Sequence, residues 1–396
     1  MTLPPPPNPY GGQPPYGGQP QYGGQPQWGG GQPQPGAGEG QFSGPPPWGP
    51  PPQQPQWGGP PMGPPPSKGG KGKWIIGGVI VLLVVALAVT VTILVTRDGS
   101  NGNSPTPPGD GQASEFASAN DTGPVNIITE DPTCDAWGRI TNEYVDRLDK
   151  AGWKTRDASI EATAWTADQR RMYDTAREAM ADAADATVSL VTVTPHRAMR
   201  ELYGQFIAYT RSVIDRLPNF VRADENLIEV SDGFGNAITN ICSAIAFRSA
   251  QPIAPLIDIP ESPSTLAPLG DPSSPSRMMN TALPICQAWE QAAIDFDEQT
   301  SEWLAIDPAI PASEWNPDQR AVMDAVKPIM SDYARGLHRM GRDSANALFE
   351  DFATLAAQYQ DAYAKALPTY TKIDSFLDRS ASFLVKSLIF ACKSAS

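Results

Sequence analysis

Histidine is almost absent from this chain of 396 residues, which holds only His196 and His338. The two do not match each other in the internal repeat described below, where their counterparts are Asn346 and Val188. A duplicated catalytic or metal centre built on imidazole is therefore not expected, and no His/Cys/carboxylate cluster has ligand spacing. No Gly-x-Ser-x-Gly, Walker or dinucleotide-binding pattern occurs in the part expected to fold, and a serine nucleophile would lack an evident base. No cofactor is implied, and an enzyme is the least supported class. Cations are also short: 29 Lys and Arg against 43 Asp and Glu give a formal charge of −14. The segment through Lys73 carries Lys68, Lys71 and Lys73 against Glu39, a net of +2 that leaves −16 for the rest. Such an exterior repels nucleic acid and anionic lipid surfaces, so no nucleic-acid partner is expected. It is also the ordinary way in which a solvated domain stays soluble.

One long apolar run exists, Trp74 to Thr96, and no charge interrupts it. About 20 apolar residues at a rise of ~1.5 Å cross a ~30 Å hydrocarbon core. The polar region ahead is too long for a signal peptide, and no small-x-small cleavage site follows before Arg97. The expectation is a signal anchor, with the lipid bilayer as a partner through residues 74–96. The three lysines on its N-terminal flank put the N-terminus in the cytoplasm and the bulk outside, in a cell-membrane protein that passes once.

Residues 1–67 are poor in aliphatic side chains and rich in Pro, Gly and Gln. Tyr-Gly-Gly-Gln-Pro recurs at Tyr10, Tyr16 and Tyr22 and decays to Gln-Trp-Gly-Gly near Trp28 and Trp57. A segment that cannot bury a core stays disordered, because ordering entropy wins. It is read either as a docking tail making weak multivalent contacts or as a passive tether. This layout, with PYGGQP-like repeats, a lysine cluster, one span and an exported two-cysteine helical part, resembles the proline-rich single-pass membrane proteins of mycobacteria and related actinobacteria. The resemblance implies no particular activity and carries over no functional residue.

The most informative feature is duplication. Cys134-Asp-Ala-Trp137 returns as Cys286-Gln-Ala-Trp289, and Trp165-Thr-Ala-Asp-Gln-Arg170 returns as Trp315-Asn-Pro-Asp-Gln-Arg320. Asp174, Met180, Tyr209, Asp224, Leu227 and Cys242 each recur 150 residues later. Each copy reads as helices. Trp137, Ile140, Tyr144 and Leu148 share one face, and Gly152 can end that helix. Thr166 and Asn316 open the second helix with capping signals, and Thr194-Pro195 opens a third. Period-two alternation is absent, so no sheet is expected. Ser231-Asp-Gly233-Phe-Gly235 is expected to kink or delay the fourth helix of copy one, and Pro328 to bend the second helix of copy two.

The expected architecture is all-α. A disordered tail at 1–67 precedes a lysine flank and transmembrane helix at 68–97 and a flexible linker at 98–130. Helical repeats at 131–248 and 283–396 follow, each a four-helix bundle, with a Pro/Ser linker at 249–282 between them. Four antiparallel passes bring the start of the first helix and the end of the fourth to one end of a bundle. That pairs Cys134 with Cys242 and Cys286 with Cys392. The alternative is four buried thiols in a reducing compartment.

For function, the shared Trp-x-x-Asp-Gln-Arg is the best site candidate, but it also reads as structure. Asp168 and Asp318 suit a helix N-terminus, Gln169 and Gln319 complete a cap, and Trp165 and Trp315 could lie under Arg170 and Arg320. Asp295 and Asp297 read as a solvated face. The leading expectation is a non-enzymatic, membrane-anchored envelope protein, an interaction or scaffold module with an unidentified protein or cell-wall partner. The alternative is a sensor or carrier that holds a small apolar ligand inside a bundle.

Closing loops of this length contributes about 4–5 kcal/mol on the chain-entropy model. Reduction of the purified protein should therefore lower its thermal midpoint. An unchanged midpoint would show the bonds to be absent or without effect.

Overall fold

Thr166 and Asn316 each accept a hydrogen bond from the N–H three residues on, at 3.2 and 2.8 Å, while Gln169 and Gln319 reach back to the cap N–H. These capping boxes satisfy amides that a helix start leaves unpaired. They open the two longest helices of the computed structural model, which describes residues 115–395. Copy one consists of α1 (Cys134–Ala151), α2 (Ala167–Val193), α3 (Arg197–Arg216) and α4 (Glu225–Ala246). Copy two consists of α5 (Cys286–Gln299), the single turn α6 (Ser301–Leu304), α7 (Pro317–Asp343), α8 (Ala347–Ala366) and α9 (Ser375–Ser394). No strand occurs among the described residues. Gly152 ends α1 at φ 80°, a left-handed conformation that favours glycine, and its N–H returns to the Leu148 and Asp149 carbonyls. Pro195 lies outside α3, whose first residue is Arg197.

Two expectations are corrected. Among the described residues no helix is long and apolar enough to cross a membrane. The longest, α2 and α7 with 27 residues each, carry charged residues along their length. An all-α chain with a transmembrane helix, and the single-pass placement in the cell membrane that went with it, are therefore not what the fold supports. Residues 74–96, on which both rested, lie outside the described residues, as does the tail at 1–67.

The two copies pack against each other. Helices α4 and α9 pack on each other, and Phe247 stacks on Phe376 with ring centroids 5.2 Å apart. Phe234 of α4 meets Phe352 of α8, also at 5.2 Å, and Lys386 Nζ pairs with Glu229 at 2.6 Å. The segment leading into each copy is held by the other copy. Gln205 of α3 donates to the Ser276 carbonyl at 3.0 Å and accepts from the Met278 N–H at 2.7 Å. In return, the Tyr359 hydroxyl of α8 donates to the Ile128 carbonyl at 3.3 Å. The Pro/Ser stretch between the copies follows both. Its Asp258 carbonyl accepts from Gln358 and its Ser264 bonds Glu350 before it crosses to Gln205. All described residues belong to one compact unit.

The Ser231–Gly235 stretch neither breaks nor delays the fourth helix, because α4 runs unbroken through it. Its glycine answers to packing. A Cβ on Gly233 would collide with Ser387 Oγ and lie 3.3 Å from Ser387 Cβ. The counterpart of Gly233 in copy two is Phe383, so only one copy makes room for its partner. Helix α7 likewise continues through Pro328.

Gly233→Ala should destabilise the protein by about 1–3 kcal/mol through overpacking, although alanine is the better helix former. Ser387→Ala should restore most of that loss in the double variant. Urea denaturation of both variants checks this, and absence of rescue would place the strain elsewhere.

Candidate functional site

The shared motif proves to be a clip. Trp165 Nε1 donates to the Ile160 carbonyl at 2.9 Å and Trp315 Nε1 to the Ile310 carbonyl at 3.0 Å. Arg170 and Arg320 donate to the Ala162 and Ala312 carbonyls, both at 3.2 Å. The Trp165 ring stacks on Tyr173 at 3.7 Å and the Trp315 ring on Tyr370 at 5.8 Å. The arginines thus serve the backbone ahead of the helix, and the motif fixes how the chain enters α2 and α7. Cys134 is bonded to Cys242 and Cys286 to Cys392, with Cα atoms 5.3 and 5.7 Å apart. Both bonds tie the start of a copy to its last helix.

The two histidines are far apart in role. His196 Nε2 lies 2.8 Å from the Glu130 carbonyl, and its counterpart Asn346 donates to the Met278 carbonyl at 2.9 Å. Both positions anchor the segment that leads into their own copy. His338 lies on α7, where burial and then Arg342 lower its pKa. Asp295 is exposed and accepts from Gln291, but Asp297 is half-buried, and burial raises its pKa to about 6. Asp378, which burial raises to about 7 with Asp297 adding to the effect, is its neighbour. Among the described residues no group of His, Cys, Asp and Glu is placed to hold a metal ion.

Sequence reasoning missed the charged seam between the copies. Arg197 of α3 is only 2% exposed, and its guanidinium donates to both oxygens of Asp351 on α8 at 2.7 and 3.2 Å. Its remaining donor reaches the Asp121 and Gly123 carbonyls at 2.7 and 3.0 Å. Beside it Arg200 donates to Glu201 at 3.2 Å and to Ser118 at 3.1 Å. Glu201 and Asp351 are repeat counterparts, 150 residues apart, and so meet across the axis relating the copies. Burial first and the Asp351 carboxylate second hold the Glu201 pKa well above the usual glutamate range, against the pull of Arg200 and Arg197. Two carboxylates in a dry place do not both ionise readily.

The surface of copy two holds a groove. A cavity of about 560 Å³ lies between α7 and α8 beside Asp258 and Pro260 of the connecting segment. A second hollow of about 630 Å³ continues it past Ser331 and Lys365 towards Pro328 and Pro368.

Residues 116–396 match the model of a family described as mycobacterial ESX-1 associated protein. That is well over half of the chain. The chain belongs to this family. It is also 40% identical, over 329 residues, to an uncharacterised protein of Mycolicibacterium smegmatis (strain MKD8), covering 82% of this chain and 86% of that one. No solved structure matches. The family segment coincides with the two-copy unit, so the seam and the groove both lie inside it.

The seam sets a pH dependence. Because the folded state raises the Glu201 pKa, its contribution to stability is complete below the ordinary glutamate pKa and is lost as pH rises toward the folded value. Glu201→Gln removes that titration, so the variant should gain on the parent protein as pH rises from 4.5 to 7.5. Asp351→Asn strands Arg197 and should cost about 3–5 kcal/mol. Urea midpoints at the two pH values decide it. A Glu201→Gln loss that is equal at both would sink this account of Glu201.

Proposed function

We propose that the protein is a non-enzymatic accessory component of the ESX-1 secretion machinery, an interaction module that presents a partner-binding face on copy two. The family description supports the setting. The observation that carries the reading is the surface groove between α7 and α8 of copy two. Residues 273–278 of the connecting segment are held on α3 of copy one by Arg211 and Gln205. On copy two the same segment is held on α8 by Gln358 and Glu350, and beside it the α7–α8 pair leaves a groove at the surface. The buried charged groups of the seam are engaged in joining the copies, which supports a structural rather than a chemical role for them.

A carrier of a small apolar ligand has less support. The core between the helices is filled by Trp137, Trp289, Phe206 and Phe352, each 2% exposed or less, and the hollows described above have charged residues in their walls.

Crosslinking in a mycobacterial host, followed by affinity capture of the full chain and mass spectrometry, tests the proposal. Crosslinks from Lys327 or Lys365 to an ESX-1 component are expected. Capture of no such component, together with unaltered secretion when the protein is missing, would overturn it. An apolar molecule co-purifying in stoichiometric amount would favour the carrier.

A further inference from the structure

The groove on copy two has a charge pattern that copy one does not share. Lys327, Arg335 and Arg339 of α7 and Lys365 of α8 stand along it. Their counterparts in copy one, 150 residues earlier, are Arg177, Asp185, Ser189 and Asp215. Three positions that are acidic or neutral in one copy are thus basic in the other, within a chain of formal charge −14. Two of the cations are already engaged: Lys365 pairs with Asp361 at 2.6 Å, and Arg335 pairs with Asp332. Lys327 and Arg339 make no hydrogen bond or ion pair recorded among the described residues, and they lie 12 positions apart on α7. At ~1.5 Å per residue the unpaired charges stand roughly 18 Å apart, the reach of about five or six extended residues.

Copy one shows what such a helix pair accommodates. A turn at 271–274 leads into residues 275–278, which lie along α3 with backbone groups of the segment as the bonded element. The Ser273 carbonyl accepts from Arg211, the Ser276 carbonyl and Met278 N–H engage Gln205, and Pro275 rests 3.9 Å from where a Cβ on Gly204 would sit. The floor of the copy-two groove holds the buried Ala334 and Ala357, with Pro328 exposed at its far end, and suits proline and small side chains in the same way.

We propose that the α7–α8 groove binds an extended, acidic, proline-containing polypeptide segment of a partner protein, with Lys327 and Arg339 taking carboxylates at its two ends. The segment 1–67 of this chain is a poor occupant, since its only acidic residue is Glu39. The proposal rests on the interaction-module reading and names the chemistry of that module's partner.

The test is fluorescence anisotropy of the full chain with a labelled (EPSD)3 peptide, alongside the matched (KPSK)3 peptide. Binding of the acidic peptide alone is expected, weakening between 50 and 300 mM NaCl as exposed ion pairs are screened. The Lys327→Glu/Arg339→Glu variant should lose about tenfold or more in affinity with an unchanged thermal midpoint, since neither side chain supports the fold. Equal binding of the basic peptide, or undiminished binding by the double variant, overturns the proposal. So does a groove that binds polyphosphate or anionic vesicles but not (EPSD)3. If the peptide fails while the native protein still captures an ESX-1 component, this inference falls and the interaction-module reading stands. If capture also fails, that reading falls too.

Discussion

Arg197 is a permanent charge in a place with almost no water, and that condition constrains everything around it. A guanidinium cannot shed its proton there, so its donors must be met. Asp351 meets two of them from the other copy, and the Asp121 and Gly123 carbonyls meet a third from the segment that leads into copy one. Removing any one element leaves a buried ion with an unfilled valence, which costs far more than an exposed pair would contribute. Copy one, copy two and the leading segment therefore order together. The same logic explains why the stretch 249–282 does not behave as its Pro/Ser composition suggests: its carbonyls and hydroxyls fill the remaining needs of α3 and α8.

The copies kept their roles while exchanging their chemistry. Arg200 and Glu350 are repeat counterparts of opposite charge, yet each binds a serine of a passing segment, Ser118 in one case and Ser264 in the other. His196 and Asn346 hold carbonyls ahead of their own copies, one with an imidazole and one with an amide. Gly233 and Phe383 take opposite sizes, since α4 must admit Ser387 at the point where the two fourth helices cross. Where equivalent positions do meet with like chemistry, as Glu201 and Asp351 do, the two carboxylates need the flanking Arg197 and Arg200 to share the site.

This is also where sequence reading stopped. The helices, their capping boxes and the family of positions repeating at 150 residues were legible, because each depends on residues close in the chain. The clip around Trp165 and Trp315 was legible as structure for the same reason, although the arginines turned out to grip carbonyls rather than rings. The seam was not legible. Arg197, Glu201 and Asp351 look like ordinary charges on amphipathic helices, and only the packing of α3 against α8 shows that they are buried. The available signal was composition: α8 reads Ala347-Leu-Phe-Glu-Asp-Phe-Ala-Thr-Leu-Ala-Ala, too apolar all round for a helix with a solvent face. Carboxylates inside such a run imply a buried partner. The groove was equally hidden, because it depends on where the connecting segment passes.

The exchange of leading segments separates this fold from a pair of linked domains. Were the copies independent, each could open alone, and the connecting stretch would take up the difference. Here the Tyr359 hydroxyl is bonded to the approach to copy one, and Gln205 to the approach to copy two, so opening either copy unlatches the other. The disulfides close each copy on itself but do not cross the seam. Covalent closure therefore limits how far a copy expands once it opens, while the ionic seam and the packed α4–α9 pair join the two copies. A surface carried by copy two, such as the groove along α7, is held in shape by contacts that run through copy one. That coupling makes copy one part of what fixes the shape of the groove on copy two.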